Sequence, residues 1–309
     1  MGFDYSSLPK DMLIKSWQFT KTVHSDVYPS VDPTMPELSL AGKVAVITGA
    51  SRGIGARGFA PAFARAGVKG LVLVATNAAK LQAVASDVHK INPAVKVLCL
   101  TADVSDQTQV EAAFREAKST FGAADILVNN AGVSLETLGC HWADEDPRVW
   151  WDNFRVNSLG SYLVTRTFLR ELLPARDAPA TVISLTSGAA LSIGSPFVHG
   201  SYCISKLAVQ SMAVQLAAEC PNITSVALDP YLVDTDMLPE HLRMFDRVTP
   251  ELVGGTAVWL SHPHAKFLTG RAIMVNWDVD ELVAKSEEIA KGKQLQMEFV
   301  GPFGAHLFQ

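Results

Sequence analysis

Short apolar runs rich in β-branched residues alternate along this chain with longer segments whose apolar positions recur every three or four residues. From Lys43 onward the runs are "VAVIT" (44–48), "GLVLVA" (70–75), "VKVLCL" (95–100), "DILVN" (125–129), "TVISLT" (181–186), "TSVALD" (224–229) and "AIMVN" (272–276). Such runs predict strands, and the periodic segments between them predict helices from about 54 and near 78–91, 106–121, 147–173, 203–219 and 250–260. Strands that are apolar on both faces belong in a parallel sheet with helices on each side. The expected fold is therefore α/β, a doubly wound parallel sheet of about seven strands. In such a sheet ligands sit beyond the carboxyl ends of the strands, where the strand order reverses, so the chemistry is expected in the loops that follow each strand. Pro61 falls inside the first helix and cannot hydrogen-bond back to Arg57, which predicts a kink.

Outside this alternation the pattern changes. Residues 1–40 mix Pro29, Pro33 and Pro36 with Phe3, Tyr5, Trp17, Phe19 and Tyr28. So many aromatic side chains favour an extension packed on the surface of a domain at 41–276 over a disordered tail. After 276 come a helical stretch near 279–291 and then Phe299, Phe303 and Phe308, a tail expected to close a pocket or dock on a neighbouring subunit. Residues 231–248 hold Met237, Leu238, Leu242, Met244 and Phe245 where a substrate lid would sit. Their apolar content points either to a hydrophobic substrate or to a loop packed on the core.

Composition narrows the class. A chain of 309 residues, 48% of them hydrophobic, is long enough to bury a full core without disulfides. Cys99, Cys140, Cys203 and Cys220 form no C-x-x-C pair and are expected as reduced thiols. The formal net charge of -5, without a clustered basic face, argues against nucleic-acid binding. No apolar run approaches the roughly 18 residues of a membrane span and no signal layout opens the chain, so a cytoplasmic protein is expected. There is no G-x-S-x-G elbow with which His199 could act in a serine hydrolase. His262 and His264 flank Pro263 without a ligand cluster, so no metal is expected.

Two motifs carry chemistry. "TGASRGIG", Thr48 to Gly55, lies between the first strand and the first helix. Glycines there let the backbone turn tightly against a pyrophosphate, whose charge meets the free amides of the helix N-terminus. The second is "YCISK", in which Tyr202 and Lys206 are four positions apart and so share a helix face. A phenol with a pKa near 10 is a sluggish base at neutral pH, and a nearby cation favours the phenolate. A surface pair is the plain alternative, but the position just after the fifth strand favours an acid/base site.

The loop's T-G-x-x-x-G-x-G spacing resembles that of the short-chain dehydrogenase/reductase family. Further matches follow in family order: Asp103 in "ADVSD", the "NNAG" of Asn129 to Gly132, Asn157 in "VNSLG", Ser187, and the Y-x-x-x-K itself. The resemblance covers about residues 40–276 and implies a Rossmann-type fold and an oxidoreductase interconverting a ketone and a secondary alcohol on a hydrophobic small molecule. It also implies a homodimer or homotetramer through the helices near 147–173 and 203–219. Tyr202 would be general acid or base, Lys206 would lower its pKa and hold the nicotinamide ribose, Ser187 would orient the carbonyl, and Asn157 would support a proton relay. Gly49, Ser51, Arg52, Gly53, Ile54 and Gly55 would hold the cofactor phosphates; Asp103 and Val104 would border the adenine. Asn130, Ala131 and Gly132, with Asn129, would border the cofactor backbone, and Pro230, Val233 and Thr235 would meet the nicotinamide. A carboxylate ending the second strand would select NAD, but Thr76 and Asn77 stand there and Arg52 lies in the loop, so NADP is favoured over NAD.

For several of these residues a structural role is the plain alternative: Asp103 could equally be a helix cap, Ser187 a turn cap, Asn157 a backbone partner and Arg52 a solvated cation, with Lys80 serving the phosphate instead. The family's P-G after the sixth strand is Pro230-Tyr231 here, and Tyr231 could narrow the nicotinamide pocket or face the substrate. Ser187 and Tyr202 are 15 residues apart, a slightly long gap. The second reading of the chain is a protein that uses a bound nicotinamide cofactor for structure or for non-redox chemistry. The fungal look of the N-terminal extension adds, by analogy, a place in secondary metabolism.

Overall fold

The computed structural model describes residues 8–136, 140–191 and 200–298. His199, most of the loop between Ser187 and Tyr202, and Phe3, Tyr5, Phe299, Phe303 and Phe308 lie outside these residues.

The N-terminal extension begins with a short helix α1 (Met12–Ser16). Then β1 (Val44–Thr48), a π-helical turn (Gly55–Phe59) running into α2 (Ala60–Arg65), β2 (Gly70–Ala75), α3 (Ala78–Ile91), β3 (Lys96–Thr101) and α4 (Gln107–Phe121) build one half of the sheet. The other half is β4 (Ile126–Asn129), α5 (Pro147–Phe154), a second π-helical turn (Arg155–Gly160) leading into α6 (Ser161–Glu171), β5 (Ala180–Leu185), α7 (Gly200–Glu219), β6 (Ile223–Asp229), α8 (Pro250–Leu260) and β7 (Arg271–Met274). Two short helices, α9 (Val279–Ala284) and α10 (Ser286–Lys291), follow.

All seven strands pair in parallel in the order β3-β2-β1-β4-β5-β6-β7. Within each strand, alternate residues enter opposite cores. Ala45, Ile47, Leu71, Leu73, Ile126 and Val128 face the layer of α2, α3 and α8, and Val44, Val46, Val72, Val74 and Leu127 face the layer of α4 and α6. The helices follow from apolar spacing and caps: Asp106 caps α4 through Thr108 and Gln109 N–H, and Thr249 caps α8 through Leu252 N–H.

The kink expected at Pro61 takes the form of a change from π to α geometry, with Pro61 in the first turn of α2, where its missing N–H costs nothing. The single helices expected at 147–173 and 279–291 are also interrupted, by the π turn at 155–160 and by the break at Lys285.

The N-terminal extension runs from the far edge of the sheet to the loop after β6. Trp277 Nε1–H donates to Trp17 O at 2.9 Å, and Glu281 accepts the N–H groups of Lys21 and Thr22. His24 N–H donates to Asn276 O at 2.8 Å. Asp246 N–H donates to Lys10 O at 3.0 Å and Thr249 N–H to Ser25 O at 2.8 Å, so the same strap grips the segment that leads to α8.

Candidate functional site

Between β1 and β4 the strand order reverses, and there the two following loops are sewn together. Thr48 Oγ1 accepts the N–H groups of Asn130 and Ala131, both at 3.1 Å, and donates to Val128 O at 3.3 Å. Asn130 Nδ2 donates back to Thr48 O at 2.8 Å and Gly49 O at 3.1 Å. This seam demands glycine. Gly49 has a φ of +64°, and a Cβ on Gly55 would lie 2.4 Å from Gly49 O and 2.9 Å from Ala50 Cα.

Above the seam lies a cleft of about 470 Å³. Gly49, Ser51, Arg52, Gly53 and Ile54 line it along the glycine loop, Thr76 after β2, Asp103 and Val104 after β3, and Asn130, Ala131 and Gly132 after β4. Tyr202, Lys206, Pro230 and Thr235 line its other end. Thr235 sits over the glycine loop, its Cγ2 3.6 Å from where a Gly53 Cβ would stand.

Several expected residues take other positions. Gly55 lies beneath the loop. Asn77 caps α3, its Oδ1 accepting Lys80 N–H at 2.9 Å. Asn129 turns under the sheet to Thr165 and Ser184. Val233, expected at the nicotinamide, is 4% exposed and bridges to Val248, because an apolar side chain next to the core packs there and not into a polar cleft. Asp103 does not cap α4, a role Asp106 holds; it closes a turn on Ser105 and faces Arg155 at 3.8 Å. Arg52 stays exposed, 3.6 Å from Asp236. The apolar residues of 231–248 divide: Leu238 and Phe245 join the buried set, and Met237 stays exposed at the cleft. Tyr231 neither narrows the cleft nor faces it. With φ at +57° its ring packs on the core, and its buried hydroxyl lies against the Ile14 backbone of α1 without a well-formed hydrogen bond.

The proton-handling residues converge. Tyr202 and Lys206 share one face of α7, and the Ser187 hydroxyl hydrogen-bonds the Tyr202 phenol while accepting Ala189 N–H at 3.2 Å. Lys206 is 6% exposed and donates from Nζ to Leu185 O at 2.8 Å. Asn157 sits in the π turn, where the extra residue turns its carboxamide inward: Oδ1 accepts Val133 N–H at 2.8 Å, and Nδ2 donates to Val133 O and Ser205 Oγ, both at 2.9 Å. A Cβ on Gly132 would meet both Asn157 Oδ1, at 3.1 Å, and Lys206 Nζ, at 3.2 Å. The structural and functional roles weighed for Ser187 and Asn157 are thus compatible.

The expected lowering of the phenol's pKa is overturned. Burial pushes Tyr202 up to about 12, and the opposing influence is the Ser187 hydrogen bond. Lys206, aimed at the Leu185 carbonyl, is itself brought down to about 8 by burial, with Asp229 opposing that fall.

Two acids at the site were missed in the sequence. Glu136 accepts Ser201 Oγ–H and, at 2.5 Å, Tyr202 N–H, pinning the first turn of α7. Asp229, 5% exposed at the end of β6, accepts Tyr231 N–H at 2.9 Å and also the Gly188 N–H. A charged residue closing the otherwise uncharged run "TSVALD" was the one signal for it.

Among the described residues, no group of three or more His, Cys, Asp or Glu could hold a metal ion, and no helix is long and apolar enough to cross a membrane.

A seven-stranded parallel sheet with a glycine-loop seam at its reversal point and a Ser-Tyr-Lys group after β5 defines a Rossmann-type nucleotide-binding fold. The short chain dehydrogenase family model matches residues 43–244, and the chain belongs to that family of oxidoreductases. It is 37% identical over 289 residues to the short chain dehydrogenase citE of Monascus ruber, covering 90% of this chain and 94% of that protein. To the short chain dehydrogenase pigC of the same fungus it is 35% identical, over 92% of this chain and 94% of the relative. Among solved structures it is similar to a 3-ketoacyl-(acyl-carrier-protein) reductase from Brucella melitensis complexed with NADH. The identity is 31% and the TM-score 0.65, covering 77% of this chain and 98% of the other.

Proposed function

We propose that this protein interconverts a ketone and a secondary alcohol on a hydrophobic small molecule, with NADP(H) as its preferred cofactor. The observation that carries the reading is the meeting, in one cleft, of the glycine-loop seam with the Ser187-Tyr202 hydrogen bond and the buried Lys206.

The residues present fit such a cofactor. The cleft runs from Thr76, Asp103 and Val104 past the start of the first helix to Lys206 and Thr235, which suits a molecule with an adenine end, a pyrophosphate and a nicotinamide end. No carboxylate ends β2, and Thr76 and the exposed Arg52, both lining the cleft, supply a hydroxyl and a cation of the kind a 2'-phosphate attracts. When bound, the nicotinamide supplies or accepts the hydride. Tyr202 then hands a proton to the alkoxide in reduction and takes it back in oxidation. Ser187 polarises the carbonyl and, by its hydrogen bond, favours the phenolate that burial disfavours. Lys206 brings positive charge to the ribose end, and Asn157 holds the Gly132-Val133 backbone that borders it.

Met237 at the cleft supports an apolar substrate surface. The exposed Trp151, Leu159, Tyr162 and Val214 on α5, α6, α7 and the turn joining α5 to α6 support a homodimer or homotetramer formed through these helices. A cytoplasmic place of action completes the reading.

The test is NADPH consumption with bulky ketones, set beside Tyr202→Phe. Turnover should fall by about 100-fold or more while cofactor affinity stays near wild type. Turnover close to wild type in the variant sinks the assignment.

A further inference from the structure

Burying a carboxylate is costly unless hydrogen bonds and an opposite charge compensate it. Asp229 has both kinds of neighbour. Its carboxylate accepts N–H groups from the turn after β6, through Tyr231, and from the turn after β5, through Gly188. A Cβ on Gly188 would lie 2.9 Å from Asp229 Oδ2, so glycine there is what lets the carboxylate close on the turn that carries Ser187.

The neighbour of opposite charge is Lys206. Its Nζ is fixed on Leu185 O, its carbonyl accepts from Thr186 Oγ1 at 3.1 Å, and Leu185 pairs in register with Leu228, the neighbour of Asp229. Ammonium and carboxylate are therefore held at the same level of the sheet by adjacent strand ends. Among the described residues no ion pair within 4.0 Å reaches Lys206, and Asp229 is the charged group that acts on it. The other titratable groups facing Asp229 are Tyr202 on α7 and Tyr231 in its own turn; Glu136 and Cys203 act on Tyr202, and Asp246 and Asp11 on Tyr231.

We infer that Asp229 is the counter-ion of Lys206, a positioning residue that keeps the ammonium charged while locking the two turns that border the site. The effect on catalysis rests on the reading of Lys206 given above, whereas the charge coupling does not. Both partners are ionised between about 6, where Asp229 titrates, and about 8, where Lys206 does. Below that window Asp229 is protonated and the ammonium loses its partner; above it the amine is neutral.

The test is an NMR pH titration of the Lys206 ε-methylene in full-length protein carrying 13C-lysine, without added cofactor, the signal being assigned by its loss in Lys206→Gln. The wild-type midpoint is expected near 8. Asp229→Asn keeps an acceptor for Tyr231 N–H but removes the charge, and should lower that midpoint by about one pH unit. An unchanged midpoint overturns the proposal. Should Asp229→Asn fail to fold, the Asp229 carboxyl carbon is followed in wild type and in Lys206→Met, where its midpoint must rise from about 6; no rise overturns the proposal equally. A shifted midpoint together with full turnover in Tyr202→Phe would keep the counter-ion and remove the proposed function.

Discussion

The turn after β1 and the turn after β6 make the same conformational demand and meet it in opposite ways. Both place a residue in the left-handed region, Gly49 at +64° and Gly53 at +55° in the first, Tyr231 at +57° in the second. For glycine the conformation is free of steric cost; for tyrosine it costs about 1–2 kcal/mol. In the first turn the backbone itself is the contact surface, pressed against Ala131 and aimed at the cleft, so any side chain is in the way. In the second turn Pro230 borders the cleft, but the Tyr231 side chain points away from it and is an anchor under α1. The strain is held by the Asp229 carboxylate on Tyr231 N–H.

If that contrast is right, Gly55→Val has the largest effect, because the obstructing atoms are backbone, at 2.4 and 2.9 Å. We expect a destabilisation of more than about 3 kcal/mol or loss of measurable nucleotide binding, read by chemical denaturation and by NADP(H) titration of any folded protein. Tyr231→Ala removes the anchor but keeps the strained turn, and should cost about 2–3 kcal/mol in urea unfolding. A change within error would mean that the ring holds nothing.

Asp229→Asn should show a pH-dependent sign. The folded-state pKa, about 6, lies above the ordinary 3.8, so the group's favourable contribution is complete below 3.8 and lost as pH rises through about 6. Asparagine does not ionise. The stability of the variant relative to wild type should therefore increase by about 2–3 kcal/mol between pH 4 and 7, the attraction of Lys206 being already contained in the folded-state pKa. A flat difference across that range contradicts the buried-charge account. The smallest effect belongs to Tyr231→Phe: its hydroxyl lacks a well-formed bond, so stability should move by less than about 1 kcal/mol.

The strands were legible because a strand buried on both faces has one chemical requirement, apolarity, and "VAVIT" and "GLVLVA" meet it without interruption. The glycine loop was legible for a related reason, since Gly49 and Gly55 answer to backbone contacts that tolerate no other residue. Less visible were features set by direction. The π turns at 55–59 and 155–160 change the hydrogen-bond register without altering apolar periodicity, so the inward turn of Asn157 left no trace in the pattern. Val233 and Asn77 sit at positions beside the cleft, but one side chain was drawn to the core and the other to a helix cap. Lys206 and Tyr202 were found by spacing, but spacing could not show that burial dominates the phenol or that a strand's last residue, Asp229, supplies the missing charge.

The strap that joins the two ends of the chain has a consequence for the order of folding. Trp17 with Trp277, Thr22 with Glu281 and His24 with Asp278 meet across 254–260 residues of chain. Contacts at such separations form only after the intervening sheet has closed most of the loop. During synthesis residues 10–28 must therefore wait, Trp17, Phe19 and Tyr28 uncovered, until the last strand and α9 have left the ribosome. Completing the grip on the loop after β6 would then be a final event in biogenesis, and a chain stopped short of α9 should display its opening segment to proteases.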